Sequence, residues 1–240
     1  MGDKQGKHAE GKGIESIMNL GYHNMDCMEL MKGLPDKSID LAIVDPVYGD
    51  VKQGGYMKNV GSTSRLAKAI EYNTALWHQP KTNQEYFEEL RRVSKNQVIW
   101  GGNYFADMLP PSQGWIVWDK QRSEGVKFAD CELAWTSFDR ATRIVRFKWD
   151  GFLQGDMKHK EKRIHPTQKP IYIYIYILQN YAKEGDLILD THAGSASSLI
   201  ACEKLGFKYI GCELDENYYK ESLERLETFK RQITIWDLEL

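Results

Sequence analysis

The chain has 240 residues, of which 42% are hydrophobic and 28% charged, and its formal net charge is −2. That size suits one large domain with a buried core, the composition is ordinary for a globular protein, and the total charge gives no support for a phosphate-gripping surface. No stretch approaches the roughly 18 apolar residues that span a bilayer, so a membrane partner is not expected. Residues 1–18 are read as a flexible polar lead-in without the apolar segment of a signal peptide, and residues 19–240 as a single domain. Cys27, Cys131, Cys202 and Cys212 are scattered, with no CxxC pair. That spacing argues against a zinc site or a disulfide framework and for a reducing, cytoplasmic setting. Each cysteine is read as a small core residue.

In chain order, residues 20–25 read as a short strand ending at Asp26, followed by a short helix over 27–32 that Gly33 and Pro35 stop. Residues 39–44 are rich in Ile, Leu, Ala and Val, the pattern of a strand covered on both faces. Residues 50–80 are polar and Gly-rich, too long for an ordinary connection, and read as a functional loop or lid. Residues 83–94 are expected to be helical, with Tyr86, Phe87, Leu90 and Val93 on one face. Strands are expected over 97–100 and 115–118, the second ending in Asp119-Lys120, and a strand pair over 132–136 and 142–149. Residues 151–163 show no period and read as loop. Residues 170–182 read as a helix, although the repeated Ile-Tyr pairs leave strand open as the alternative. Strand 187–189, helix 196–205, strand 209–212 and helix 216–231 complete the chain. Strands alternating with helices indicate an α/β fold with a mainly parallel sheet layered by helices.

Asp45-Pro46-Val47-Tyr48-Gly49 closes the 39–44 strand. In an open α/β sheet the carboxyl end of a strand is where ligands bind. A carboxylate and a proline carbonyl there can accept the two N–H bonds of an exocyclic amine, while the tyrosine stacks on the ring that carries it. Further on, strand 187–189 runs into Asp190-Thr191-His192-Ala193-Gly194-Ser195-Ala196 and a helix start. A glycine in that turn lets backbone approach a ligand, and the helix N-terminus offers unbonded N–H groups; a plain strand-to-helix turn needs one glycine too. The next strand ends in Glu213, placed to accept hydrogen bonds from both hydroxyls of a ribose. No GxGxxG follows the strand, so a dinucleotide is disfavoured. S-adenosylmethionine, which has no phosphate, fits better.

Asp45-Pro46-Val47-Tyr48, then His165-Pro166-Thr167-Gln168-Lys169-Pro170, then Asp190-Thr191-His192-Ala193-Gly194-Ser195, in that order, resemble the amino-group DNA methyltransferases of the permuted β class. The resemblance runs from about residue 20 to residue 231 and implies a circularly permuted, doubly wound sheet of seven strands, with the catalytic half (about 19–150) before the donor half (about 164–231). It implies that Asp45, Pro46 and Tyr48 hold a flipped target base. Asp190, Gly194, Ser195, Thr167, Gln168 and Lys169 would line the methionine portion of S-adenosylmethionine, Glu213 its ribose, and Asp26 its adenine. From the residues alone Asp26 reads equally as a helix N-cap. Two positions depart from the family pattern. Val47 stands where a second proline is usual, and Ala196 stands at a third small position of the donor turn, a modest change if its dihedrals are already helical. His192 takes a place where Phe is frequent; it has no second ligand at metal spacing and is not read as a metal ligand.

The expected reaction is transfer of the sulfonium methyl to adenine N6, without metal or covalent intermediate. Cytosine N4 is the alternative, set lower because the family's cytosine enzymes often begin the tetrapeptide with Ser. A weakened subunit that binds donor and DNA, and a methyltransferase for another planar amine, also fit the motifs. The short 151–163 segment leaves no room for a large recognition domain. DNA contacts are therefore expected from the 51–80 loop, from the basic residues Lys158, Lys160, Lys162 and Arg163, or from a second copy in a homodimer. For these basic residues, and for Lys52, Lys58, Arg65 and Lys68, composition alone favours a solvated loop.

Overall fold

The computed structural model describes residues 20–49, 80–122, 129–150 and 153–237. The expected lead-in and nearly all of the 50–80 loop, including Lys52, Lys58, Arg65 and Lys68, lie outside the described residues. The main sheet has strands β1 (Gly21–Asn24), β2 (Ile39–Val44), β3 (Ser94–Trp100), β4 (Trp115–Asp119), β5 (Cys131–Thr136), β6 (Arg143–Arg146), β9 (Leu187–Asp190) and β10 (Lys208–Glu213). Their order is β1-β10-β9-β2-β3-β5-β4-β6, with β7 (Trp149–Asp150) and β8 (Leu153–Gln154) forming a separate two-stranded sheet. Among the described residues only β5 runs antiparallel to its neighbours, so the sheet is mainly parallel, as expected.

Two expectations about strands need correction. The main sheet has eight strands among the described residues instead of seven. The 132–136 and 142–149 segments do not pair with each other: β5 lies between β3 and β4, and β6 pairs in parallel on the far side of β4. The burial patterns explain this, because Ala134, Trp135 and Thr136 are covered whereas Arg143, Ile144 and Arg146 are exposed, as on an edge. The 151–163 segment is also not wholly loop, since its Leu153–Gln154 backbone pairs with Trp149–Asp150.

The helices are α1 (Cys27–Lys32), α2 (Gln84–Val93), α3 (Ile171–Tyr181), α4 (Ser197–Leu205) and α5 (Glu216–Asp237). Alternate residues of β2 feed two cores: Leu41 and Ile43 pack with α3 and α4, and Ala42 and Val44 pack with α2. Each fully covered Leu or Ile there contributes about 1.5–3 kcal/mol relative to exposure. α2 is capped by Asn83, whose side chain accepts the Tyr86 N–H at 3.1 Å, and it buries the expected Tyr86, Phe87, Leu90 and Val93. α3 buries Ile173, Tyr174, Ile177, Leu178 and Tyr181. That is helical spacing, so the Ile-Tyr alternation is incidental and the strand alternative falls.

The connections decide where a ligand can sit. β2 and β9 are hydrogen-bonded neighbours, but the chain after β2 passes through α2 to β3 on one side, and the chain after β9 passes through α4 to β10 on the other. This is a topological switch point, where the connections diverge and leave a crevice beyond the strand ends. β1 lies beside β10, with the Tyr22 and Tyr219 rings 4.8 Å apart and the Tyr22 and Ser222 hydroxyls bonded at 2.7 Å. The first strand thus completes the sheet that the last two strands begin, as a permuted order requires. Among the described residues no helix is long and apolar enough to cross a membrane.

Gly101 closes β3 with φ +65°, and a Cβ there would run into Cε1 of the Tyr48 ring. Alanine at this position meets a left-handed backbone cost of about 1–2 kcal/mol and an overpacking cost of about 1–3 kcal/mol. Gly101→Ala is therefore expected to lower the unfolding free energy by roughly 2–5 kcal/mol in a urea titration.

Candidate active site

β2 delivers Asp45 to the carboxyl edge of the sheet at the switch point, with its side chain 16% exposed. One carboxylate oxygen accepts the Tyr48 hydroxyl and the other accepts the Lys169 ammonium. An ionised carboxylate has about four lone-pair sites, so acceptor capacity remains for an amine. The Tyr48 ring is stacked on Tyr104 (centroids 4.9 Å, planes 27° apart) and meets Phe105 edge-on at 5.9 Å. Burial, and then the Asp45 charge, push the Tyr48 phenol well above its usual pKa, so it stays a donor. The Val47 carbonyl accepts the backbone N–H of Thr82 at 3.0 Å and its hydroxyl at 3.1 Å. A proline would offer the same carbonyl.

The His165–Pro170 motif places its residues differently from one another. Lys169, only 3% exposed in its side chain, reaches across to Asp45 and also lies 3.2 Å from Glu132 of β5. Glu132 in turn pairs with Lys120, just past β4, at 2.5 Å. Burial works against the charged Lys169, but Asp45 and Glu132 outweigh it and hold the ammonium above the usual lysine range. Burial likewise works to raise Glu132, but Lys169 and Lys120 outweigh it and leave it at about 2. Gln168 spends its amide on its own loop, accepting from Ile164 N–H at 3.0 Å and donating to the Lys162 carbonyl at 3.2 Å. Thr167 is exposed, its hydroxyl 3.1 Å from Nδ1 of His165. The His165 ring lies beside Gly194, 3.7 Å from where a Cβ would stand, and burial pushes it down to about 4.

Across the crevice, β9 ends in Asp190, 2% exposed. Its carboxylate accepts the His192 N–H at 3.0 Å and the Ser198 hydroxyl, and burial raises it to about 7. Glu213, at the end of β10, accepts N–H bonds from Gly194 at 2.9 Å and Asp215 at 3.0 Å, and burial raises its pKa as well. Ser195 is buried, its hydroxyl 3.0 Å from that of Ser197. Gly194 has φ +52° and Ala196 φ +58°. Ala196 therefore lacks the helical dihedrals that would make it a modest change: it is left-handed, at a cost of about 1–2 kcal/mol for an L-residue. Asp26 caps α1, accepting from Met28 N–H at 2.8 Å and Glu29 N–H at 3.2 Å. His192 meets Tyr86 edge-on at 5.4 Å and bonds the Thr191 hydroxyl at 2.9 Å, and burial pushes it down to about 4.

This donor set suits S-adenosylmethionine. A buried carboxylate whose pKa is raised by desolvation gains from a cation beside it, and Glu213 stands at the next strand end as a hydroxyl acceptor. Asp45 and Tyr48 just past β2, and Asp190, Gly194 and Glu213 at the ends of β9 and β10, thus stand at one edge of the sheet, with Lys169 beside Asp45 and Pro46 buried next to it. Lys158, Lys160 and Lys162 are exposed on the neighbouring loop, while the Arg163 guanidinium lies 4.5 Å over the Trp149 ring. Among the described residues no group of three or more His, Cys, Asp or Glu could hold a metal ion.

Sequence reasoning missed Glu132, Lys120, Glu161 and Arg225. Arg225 of α5 donates to the Ser195 carbonyl at 2.6 Å, the Ser197 hydroxyl at 2.9 Å and Glu161 at 2.7 Å. It ties the donor turn to the loop that also caps α3 through Glu161 and Ile171 N–H at 3.0 Å. A charge inside the apolar strand Cys131–Thr136 was the available signal for Glu132; nothing local marks Arg225.

Known proteins resemble this chain in sequence and in fold. The family model described as DNA methylase, N6_N4_Mtase, matches residues 59–224. The type II methyltransferase M2.DpnII of Streptococcus pneumoniae is 41% identical over 254 aligned residues, covering 88% of this chain and 94% of the relative. Two crystal structures share the fold. The M1.HpyAVI complex with SAM has a TM-score of 0.52 at 18% identity, covering 85% of this chain and 98% of that one. The cytosine-N4-specific PvuII DNA methyltransferase has a TM-score of 0.56 at 12% identity, covering 89% and 92%. The match over most of the chain, with a relative this similar along nearly its whole length, places the protein in the N6/N4 family of DNA methyltransferases.

Proposed function

We propose that the protein methylates the N6 amine of an adenine flipped out of DNA. The observation that carries this is Asp45, an acid at the head of the tetrapeptide, bonded by Tyr48 just past the end of β2 and next to the strand that ends in Asp190. S-adenosylmethionine supplies a methyl group made electrophilic by a sulfonium. Asp45 and the Pro46 carbonyl accept the two N–H bonds of the amine, and Tyr48 stacks on the base. An adenine amine is a poor nucleophile because its lone pair is conjugated. Acceptors fixed on its hydrogens favour the pyramidal nitrogen and stabilise the positive charge that grows on it. The N–C bond forms as the C–S bond breaks, its electron pair staying with sulfur. The nitrogen then sheds one proton to Asp45, which passes it to solvent. Asp190 holds the donor ammonium, Glu213 its ribose and Asp26 its adenine; Gly194 and Ser195 give it a close backbone wall. The exposed lysines 158, 160 and 162 meet phosphates, which position the duplex without reading it.

Four measurements test this reading. Tritium from labelled donor is expected in DNA and not in RNA of the same sequence. Asp45→Ala should cut transfer about 10²–10³-fold, the usual cost of a lost electrostatic stabiliser, with donor binding retained; unchanged transfer or labelled RNA would contradict the proposal. Because burial holds Asp190 at about 7, it is protonated below that pH and a donor ammonium must displace the proton. Calorimetric donor affinity is expected to weaken by about tenfold per pH unit below 7, and the dependence should vanish in Asp190→Asn. Finally, changing Lys158, Lys160, Lys162 and Arg163 together to Ala should reduce the slope of log affinity for DNA against log salt by roughly 3. A slope that does not move rules out this loop as a phosphate contact.

A further inference from the structure

The pair Lys120 and Glu132 takes no part in the roles derived above, yet it ends a line of four charges that begins at Asp45. The order is Asp45, Lys169, Glu132, Lys120, alternating in sign, with contacts of 3.2 Å between Lys169 and Glu132 and 2.5 Å between Glu132 and Lys120. The members come from the ends of β2 and β4, from β5, and from the residue before Pro170. Both ammonium groups also lie over indole rings, Lys169 at 5.3 Å from Trp100 and Lys120 at 5.2 Å from Trp118. The lysine side chains are 3% and 10% exposed, Glu132 31%. Two lysines and two acids held this far from water are costly unless each is paired, so the line is a single unit.

We propose that Glu132 and Lys120 are positioning residues for the methyl transfer, acting on Asp45 through Lys169. This rests on the reading of Asp45 as the acceptor of the target amine. A cation placed directly on Asp45 fixes which way its carboxylate points, but it also opposes the positive charge that grows on the attacking nitrogen. Glu132 draws that cation partly away and offsets its field, and Lys120 in turn limits how strongly Glu132 does so. Removing Glu132 leaves one more uncompensated positive charge near the reacting amine; removing Lys120 leaves one more negative charge. The two changes therefore act on the local field at the site with opposite signs: loss of Glu132 makes it more positive, and loss of Lys120 makes it more negative.

Among the described residues the other titratable groups facing Asp45 are Tyr48 on its own loop, Tyr174 of α3, His165, and Asp190 and His192 at the turn after β9. Burial keeps both histidines neutral above about 4. Saturating donor keeps the state of Asp190 the same in every variant.

The test is the single-turnover methylation rate against pH, at saturating donor and DNA, for wild type, Glu132→Gln and Lys120→Met. The rate of Glu132→Gln is expected to fall at least tenfold with donor Kd within twofold of wild type. The acid limb of its profile should move to lower pH, and that of Lys120→Met to higher pH. Limbs that stay in place, or that move the same way in both variants, would overturn the inference, as would a Glu132→Gln rate within twofold of wild type. If Glu132→Gln does not fold, the direction of the Lys120→Met limb decides alone. A wild type that methylates no DNA adenine is a different failure, that of the underlying reading.

Discussion

The pairing of β2 with β9 is the constraint on which the rest depends. These strands are adjacent in the sheet although some 140 residues separate them in sequence, and the chain leaves them in opposite directions. Their carboxyl ends carry Asp45 and Asp190. In the proposed reaction one strand supplies the acid that meets the amine and the other the acid that meets the donor. Both strands are covered on both faces, by α3 and α4 on one side and by α2 on the other. Asp190 ends β9 and Asp45 lies one residue past β2, so the packed strands limit how far either acid can stray, which the proposed in-line transfer needs of its geometry.

The ionic line from Asp45 to Lys120 shows how far the catalytic end is built from separate parts of the chain. The motif at residues 165–170 reaches Asp45 through Lys169, its own loop through Gln168, and the turn after β9 through the His165 ring beside Gly194. It therefore joins the two halves of the site. Arg225 makes a second junction, between the donor turn and the loop bearing Lys158, Lys160 and Lys162. Buried charges of this kind contribute little net stability and are strongly destabilising when one partner is removed. Their value here is geometric.

Much of this was legible in the sequence. Helical spacing placed the buried face of α2 residue by residue, and the boundaries of α1 and β2 follow directly from Gly33 and the apolar run at 39–44. The order of the three motifs anticipated the permuted strand order, with Asp45 and Asp190 at or just past two strand ends. What was not legible is long-range. No local pattern says that β5 inserts between β3 and β4, because the alternation of a strand is the same whichever neighbour it pairs with. The partner of Lys169 was hidden for a similar reason, since Glu132 is 37 residues away and joins it only through the sheet order. Ala196 misled because a small residue at a helix start suggests right-handed dihedrals, whereas the turn enforces a left-handed one.

The most direct measurement is nucleoside mass spectrometry of unmodified genomic DNA incubated with the protein and S-adenosylmethionine. The proposed role of Asp45 and Tyr48 predicts N6-methyladenine as the product, formed only when both protein and donor are present. N4-methylcytosine in its place, or no methylated nucleoside from a folded protein that binds the donor, would contradict it.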